Sequence, residues 1–300
     1  MNSSPLSRPE KPEKPEKSGL SSKTNASSSI HIQKLGVIGA GVMGQALIRG
    51  LMAKGVVAPE NVWAAAKRES SCVKIRETLG IAAYTDYLEQ LPDTDVLLLC
   101  VKPAGLPGVL EKLQKAAISP KTLLISIVAG QSIERMEQGL APIQAPVIRA
   151  MTNTPCLVGQ AMTAICGGTH ATVAHVAAAQ HIFETVGVCL ELDEQHFDAV
   201  TSLSGSGPAY VYLIMEALVD GGVRVGLPRQ AALQIVSQTL LGAATMVQQS
   251  KRHPAALRDD VTTPAGCTIG ALLVMEDGKI RSVLARAVEE AARIASGLGG

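Results

Sequence analysis

The sequence predicts an α/β fold in which a doubly wound, mostly parallel sheet is followed by an all-helical domain. Up to about residue 192, apolar runs of strand length alternate with segments of helical periodicity, the pattern of a parallel sheet covered on both faces. Beyond that point only helical patterns remain. Apolar residues make up 47% of the 300-residue chain, which is enough for a sizeable core. We therefore expect folded domains over residues 31–194 and 195–300.

Each predicted strand is a short apolar run bounded by turn residues. The strands are predicted at 35–38, 61–65, 96–101, 123–128, 146–150, 162–166 and 188–192. Between them, helices are predicted at 44–54, 70–79, 105–115, 132–140 and 171–185. In the second domain, helices are predicted at 195–203, 208–222, 229–250, 267–276 and 279–297. These later helices are apolar and rich in small residues, so we expect them to pack closely and to bury themselves against a second copy of the chain.

Residues 1–30 are expected to form a disordered tail. They contain a Pro-Glu-Lys repeat between Pro9 and Lys17, followed by a serine-rich stretch. Such a segment buries too little apolar area to offset the entropy lost on ordering. It lacks the apolar stretch that a secretory signal peptide contains, and its glutamates are atypical of organellar transit peptides. We therefore expect a cytoplasmic protein.

Composition argues against several classes of function. A net charge of +1 and 2% aromatic residues are atypical of nucleic-acid binding, and no apolar run approaches the roughly 18 residues that span a bilayer. The histidines are unclustered, so no metal site is expected. Buried, reduced thiols are expected because no Cys-x-x-Cys pair occurs. The six cysteines are Cys72, Cys100, Cys156, Cys166, Cys189 and Cys267.

A glycine-rich loop directly follows the first predicted strand and opens a helix. Its residues are Gly39, Ala40, Gly41, Val42, Met43 and Gly44. In this pattern the first glycine permits a tight turn, the second lets the backbone approach a pyrophosphate, and the third lets the helix lie close to the strand. The helix N-terminus then offers free N–H groups to the phosphates. The pattern predicts a Rossmann dinucleotide-binding domain; the alternative is a purely structural turn.

The residues after the second predicted strand favour NADPH over NADH. An NAD site usually places a carboxylate there to bind the ribose 2′-hydroxyl, but this chain has Lys67 and Arg68 before the first acid, Glu69. Both cations could pair with a 2′-phosphate. NADH remains an alternative cofactor, and both cations could instead be merely solvated.

Two later segments carry hydroxyl groups and backbone donors in front of predicted helices. The first, 204–208, reads Ser-Gly-Ser-Gly-Pro and is expected to be a flexible polar loop. The second, 262–270, reads Thr-Thr-Pro-Ala-Gly-Cys-Thr-Ile-Gly and could bind a carboxylate at the start of its helix. Simple helix capping explains either segment equally well.

Four motifs together give the chain a resemblance to a known family. They lie at 151–155, at 203–210, at 220–229 and at 261–268, and they read MTNTP, LSGSGPAY, DGGVRVGLPR and VTTPAGCT. The chain is similar to pyrroline-5-carboxylate reductase from about Lys34 to its last helix. The resemblance implies reduction of Δ1-pyrroline-5-carboxylate to L-proline with NAD(P)H. It also implies a Rossmann domain followed by a helical dimerisation domain, in homodimers that commonly assemble into decamers.

The resemblance also implies roles for individual residues. Residues 39–44 would hold the pyrophosphate, and the nicotinamide would be lined by Val101, Lys102, Pro103 and Ala129. The substrate pocket would comprise Glu194, Thr263, Gly266, Cys267 and Thr268. Thr268 would be catalytic, because its hydroxyl would bond the imine nitrogen. Two departures stand out: Tyr87 replaces the asparagine that the family often has near the adenosine, and Cys267 replaces threonine or alanine.

Two other functions compete with this interpretation. A β-hydroxyacid-type dehydrogenase would need a lysine on the helix after 204–208, whereas the only lysines beyond residue 195 are Lys251 and Lys279. A catalytically silent NADPH-binding protein would not need Thr268 or the two hydroxyl-rich segments. Both features therefore favour the reductase.

Overall fold

The computed structural model describes residues 32–297, so the predicted tail at 1–30 lies outside the described residues. Eight strands form one sheet in the order β3-β2-β1-β4-β5-β6-β7-β8. The strands are β1 Leu35–Ile38, β2 Val62–Ala65, β3 Ala82–Tyr84, β4 Val96–Leu99, β5 Leu123–Ser126, β6 Val147–Met151, β7 Ala161–Gly167 and β8 Gly187–Glu191. All neighbouring strands are parallel except β6 and β7. The predicted doubly wound, mostly parallel sheet is thus confirmed.

Five helices cover the two faces of the sheet and explain why the inner strands are apolar throughout. They are α1 Val42–Ala53, α2 Glu69–Leu79, α3 Leu106–Lys115, α4 Ile133–Leu140 and α5 Val173–Glu184. The first, second, fourth and fifth strands are buried along their whole length. One core cluster lies on each face. Strands buried on both faces read as continuous apolar runs, which is why the sequence reveals them.

β3 was missed by the sequence analysis. It has only three residues, lies at the sheet edge beyond β2, and exposes Ala82. Residues 81–84 read Ile-Ala-Ala-Tyr, an apolar run of only four residues in which the two alanines do not favour a strand. Its effect is nevertheless important, because it carries the chain into the segment around Tyr87, beside the end of β2.

Beyond β8 the described chain is helical. The helices are α6 Phe197–Val200, α7 Gly207–Arg224, α8 Arg229–Ser250, α9 Pro254–Asp260, α10 Cys267–Asp277 and α11 Ile280–Ser296. We call residues 195–297 the helical half. The sequence analysis missed α9, a short helix that begins at Pro254. The expectation that 204–208 is a flexible loop was wrong, because a widened helical turn over Thr201–Gly205 leads almost directly into α7.

The helical half leaves many large apolar side chains uncovered within one chain. Examples are Leu213, Leu241, Leu273, Val274 and Val283, each at least half exposed. Exposed apolar surface on this scale marks a protein–protein interface. No helix within 32–297 is both long and apolar enough to cross a membrane.

Candidate functional site

The glycine-rich loop joins β1 to α1 at the carboxyl edge of the sheet. Gly39 has a φ of +92°, and its backbone N–H donates to the Ala65 carbonyl oxygen at 2.9 Å. A Cβ atom at Gly39 would lie 2.8 Å from the Val101 backbone nitrogen. The turn therefore fits tightly between the ends of β2 and β4, and this position requires glycine.

α1 begins immediately after the loop. Gly41 is its N-cap and supplies no side-chain acceptor, and no acidic residue lies in the first turn. A Cβ atom at Gly44 would be 3.1 Å from the Gly39 carbonyl oxygen and 3.3 Å from the Val37 side chain of β1, so the helix lies close to the loop and strand that precede it. The N–H groups at Val42 and Met43 thus begin an uncapped helix, which is suited to bind a phosphate group.

A cleft of about 440 Å³ opens beside the loop. It is lined by residues that follow β1, β2, β3 and β4, and by one face of α3. Gly39, Lys67 and Val101, which sequence analysis singled out, all line it, whereas Arg68 does not; Lys67 and Arg68 are both exposed. The described lining residues include no carboxylate and none from the helical half. Clefts at this switch point of a doubly wound sheet bind ligands.

Tyr87 forms a fixed aromatic wall of this cleft. Its ring stacks on Trp63 with the two centroids 5.8 Å apart, and Trp63 donates from Nε1 to Thr94 Oγ1 at 3.0 Å. Tyr87 is 5% exposed, and its hydroxyl is buried without a hydrogen-bond partner among the described atoms. Burial, and the nearby Asp86 carboxylate, raise the pKa of that hydroxyl.

The residues expected to line the nicotinamide follow two neighbouring strands. Val101, Lys102 and Pro103 follow shortly after the end of β4 at Leu99, and Ala129 follows shortly after the end of β5 at Ser126. Because β1, β4 and β5 are adjacent and parallel, all of these residues lie at the same edge as the glycine-rich loop. Lys102 and Pro103 are exposed there, and Ala129 is half-buried.

Two cysteines contribute to the packing under the loop. Cys156 Sγ lies 3.7 Å from Met43 Sδ, and burial raises the pKa of the neighbouring Cys100 thiol to about 12. All six cysteines are free thiols. The expectation that they are buried holds for Cys72 and Cys156, whereas the other three of the first five are only partly buried. It was wrong for Cys267, which is exposed at the start of α10.

Glu194 occupies the junction between the sheet and the helical half. Its Oε1 accepts from Arg149 Nη1 at 2.9 Å and from the Ile133 backbone N–H at 2.8 Å. The Arg149 guanidinium also lies 4.7 Å from the centroid of the buried Phe197 ring. Within one chain, Glu194 therefore joins β6 to the start of α4, while Arg149 joins β6 to α6. This is a structural contact that the sequence analysis did not foresee.

We expect Arg149→Met to lower the free energy of unfolding by about 2 kcal/mol, because it leaves the partly buried Glu194 carboxylate with only one donor. The value is below that of a fully buried pair, since the Glu194 side chain is one-third exposed. Urea unfolding measures it. Arg293→Met, which breaks an exposed pair with Glu290 at 2.6 Å, is the control and should change stability by less than about 0.5 kcal/mol. Equal effects in both variants would contradict the structural role.

A second junction joins two of the sequence motifs. Asn153 Nδ2 donates to both the carbonyl oxygen and Oγ of Ser204 at 3.2 Å, and Asn153 Oδ1 accepts from the Met162 N–H. The motifs at 151–155 and 203–210 are thus neighbours, although about 50 positions separate them. Spacing alone gave no sign of this contact.

The segment 262–268 lies apart from the cleft in the single chain. Thr262 Oγ1 donates to the Arg258 carbonyl oxygen, and the Gly266 N–H donates to the Thr263 carbonyl oxygen. α10 starts at Cys267 without a side-chain cap and packs against α11. Thr263 is exposed and Thr268 is half-buried. One subunit therefore does not bring this helix start into the cleft beside the glycine-rich loop.

Family models match both halves of the chain. A model described as "Pyrroline-5-carboxylate reductase dimerisation" matches residues 194–298, and one described as "NADP oxidoreductase coenzyme F420-dependent" matches residues 34–130. The first match coincides with the helical half and its exposed apolar surface. The second spans the glycine-rich loop and the cleft.

Whole-chain relatives agree with these matches. Pyrroline-5-carboxylate reductase of Arabidopsis thaliana is 41% identical and covers 87% of this chain and 93% of its own. The Synechocystis enzyme of the same name is 42% identical over 89% of this chain and 98% of its own. The solved structure of a Plasmodium falciparum pyrroline carboxylate reductase with NADP bound superposes with a TM-score of 0.80. It is 29% identical and covers 90% of this chain and 99% of its own.

Proposed function

The chain belongs to the pyrroline-5-carboxylate reductase family, and we propose that it reduces L-Δ1-pyrroline-5-carboxylate to L-proline with NADPH. It is an oxidoreductase whose Rossmann domain binds a nicotinamide cofactor and whose helical half supports oligomerisation. The observation that carries the proposal is the uncapped start of α1, next to a carboxylate-free cleft, in a chain 41% identical to reductases of this name.

The residues present fit a dinucleotide. The N–H groups of residues 42–44 can bind the pyrophosphate, and the cleft between Lys67 and Tyr87 can take the adenosine. The nicotinamide would then lie at the edge formed by residues 101–103 and Ala129. When bound, the reduced nicotinamide supplies the hydride.

The chain's own task is to hold the imine and its proton. Hydride adds to the imine carbon, the C=N electron pair moves to nitrogen, and the nitrogen ends protonated. We assign the substrate carboxylate to the backbone N–H groups of Cys267 and Thr268, because the Gly266 N–H already donates to the Thr263 carbonyl oxygen. We assign the Thr268 hydroxyl to a hydrogen bond with the ring nitrogen. The pocket would be completed by Thr263, Cys267 and Glu194. A threonine hydroxyl is too weak an acid to do more than position the nitrogen or relay its proton.

We infer that two subunits share the site. Within one chain the α10 start does not line the cleft, whereas large apolar side chains of α7, α8, α10 and α11 are exposed. Dimerisation through the helical half would bring α10 of one subunit to the Rossmann domain of the other. Five such dimers could form a decamer. The free thiols are in keeping with a cytoplasmic location.

The test of the proposed function is a steady-state assay with the cyclic imine. We expect imine-dependent loss of reduced-nicotinamide absorbance, with L-proline as the product. If saturating imine and NADPH give neither change, the proposed function is wrong, and a silent NADPH-binding protein becomes the better interpretation. If instead a β-hydroxyacid is oxidised, the competing dehydrogenase is favoured.

The NADPH preference has its own test. Lys67→Glu places a carboxylate in the cleft, where it would repel a 2′-phosphate, so we expect the KM for NADPH to rise roughly 10- to 100-fold. The KM for NADH should change less than about threefold. Lys54→Glu, an equal charge change at an exposed position at the end of α1, is the control. A uniform effect on both cofactors would remove Lys67 from recognition of the phosphate.

A further inference from the structure

One face of α3 lines the same cleft as Lys67. Gly105, Gly108, Val109 and Lys112 all contribute to the lining, and their spacing of three and four places them on one side of the helix. None of these four residues has a role in the function proposed above. They nevertheless bound the space assigned to the adenosine.

Gly108 is a glycine that the packing of the protein itself does not require. It lies inside α3, where glycine is less favourable than alanine. A Cβ atom placed there would have no other atom within 4 Å. The open space next to Gly108 belongs to the cleft, so a side chain at this position would narrow the cleft rather than disturb the core.

Lys112 brings a second positive charge to the cleft. Its Nζ lies 5.8 Å from the centroid of the Tyr87 ring, which is itself held by stacking on Trp63. Neither Lys112 nor Lys67 forms an ion pair with a described residue, and the described cleft lining has no carboxylate to neutralise them. The Asp86 carboxylate, next to Tyr87, is not part of the cleft lining and instead accepts a hydrogen bond from the Leu88 N–H at 3.3 Å. Two uncompensated ammonium groups in one cleft suit a ligand group with more than one negative charge.

We propose that Lys112 is a specificity-determining residue that binds the 2′-phosphate of NADPH together with Lys67, while Gly108 keeps the adjacent space open for the adenosine. This inference rests on the proposed NADPH preference. It adds a second cation from a different element of the fold. A monophosphate without the 2′-group would gain little from Lys112.

Calorimetric titration of the purified full chain with two nucleotides tests the role of Lys112. The nucleotides are adenosine 2′,5′-bisphosphate and adenosine 5′-monophosphate, which differ only in the 2′-phosphate. We expect Lys112→Gln to raise the Kd for the bisphosphate roughly 5- to 30-fold and the Kd for the monophosphate less than twofold. The control is Lys115→Gln on the same helix. Lys115 pairs with Glu111 at 2.5 Å and lies outside the cleft lining, so neither Kd should change.

The other possible outcomes distinguish a wrong role for Lys112 from a wrong NADPH preference. If Lys112→Gln binds the bisphosphate as tightly as wild type, or weakens both nucleotides equally, the role of Lys112 is overturned while the NADPH preference stands. If wild type binds both nucleotides equally well, the NADPH preference is overturned together with this inference. Whether the imine is reduced is a separate result and decides neither case.

A steric variant tests the role of Gly108. Gly108→Leu should weaken both nucleotides at least roughly tenfold without lowering the Tm, because the side chain fills the cleft rather than the core. Gly108→Ala should raise the Tm slightly, since alanine favours the helix. Unchanged nucleotide binding in Gly108→Leu would show that the ligand does not use this space.

Discussion

Thr268→Ala is expected to lower kcat by roughly 10- to 1000-fold, the scale of one hydrogen bond that matters most in the transition state. The hydroxyl is assigned to the imine nitrogen, which gains electron density as hydride arrives at the neighbouring carbon. The KM for the imine should change much less, because the carboxylate would still be bound by the backbone N–H groups of residues 267 and 268. Steady-state kinetics with NADPH and the imine measure both parameters.

Two controls separate this chemistry from a loss of structure. Thr268→Ser keeps the hydroxyl and should retain most of the activity. Thr78→Ala removes another helical hydroxyl, whose Oγ1 donates to the Lys74 carbonyl oxygen on the exposed face of α2, and should leave kcat unchanged. Turnover at the wild-type rate in Thr268→Ala would exclude Thr268 from the mechanism.

The subunit that supplies Thr268 can be identified with mixed dimers. Subunits carrying Thr268→Ala are combined with subunits carrying Gly41→Val, which blocks the pyrophosphate site of the same chain. If the site is shared, one of the two sites in each mixed dimer combines the intact Thr268 with the intact loop, so activity returns. If each subunit is self-sufficient, mixing restores nothing.

The sequence predicts the Rossmann half well because its signals are local. A buried strand is a continuous apolar run, and the loop at residues 39–44 needs its glycines for reasons that the neighbouring residues make plain. The lysine after β2 is likewise placed by its position at a strand end, and Lys67 does line the cleft. Each of these features depends on a few consecutive residues.

Features that depend on distant residues escaped the sequence. Glu194 meets Arg149 across 45 positions, and Asn153 meets Ser204 across 51, so no spacing rule links them. The segment 204–208 looked like a loop because of its glycines and serines. The hydrogen bonds from Asn153 to Ser204, and the close approach of Gly205 to the Met151 side chain, hold this segment in a helical turn instead. Lys112 belongs to the same group, because only the folded chain places it near Tyr87.

Gly39→Ala and Gly41→Ala are expected to separate the two functions of the glycine-rich loop. At Gly39 the φ of +92° and a Cβ position 2.8 Å from the Cys100 and Val101 backbone make alanine costly. We expect its free energy of unfolding to fall by roughly 2–4 kcal/mol, with dinucleotide binding lost as the turn is displaced. Urea unfolding and calorimetric titration with NADPH measure the two effects.

At Gly41 the same substitution meets no obstacle within the protein. Its φ is −77°, and the nearest atom to a Cβ would be the Gly39 carbonyl oxygen at 4.0 Å. Stability should therefore change by less than about 0.5 kcal/mol. The added methyl group would nevertheless stand where a pyrophosphate must approach the start of α1, so the Kd for NADPH should rise roughly 10- to 100-fold. Wild-type affinity in Gly41→Ala would mean that the phosphates do not bind at this helix start.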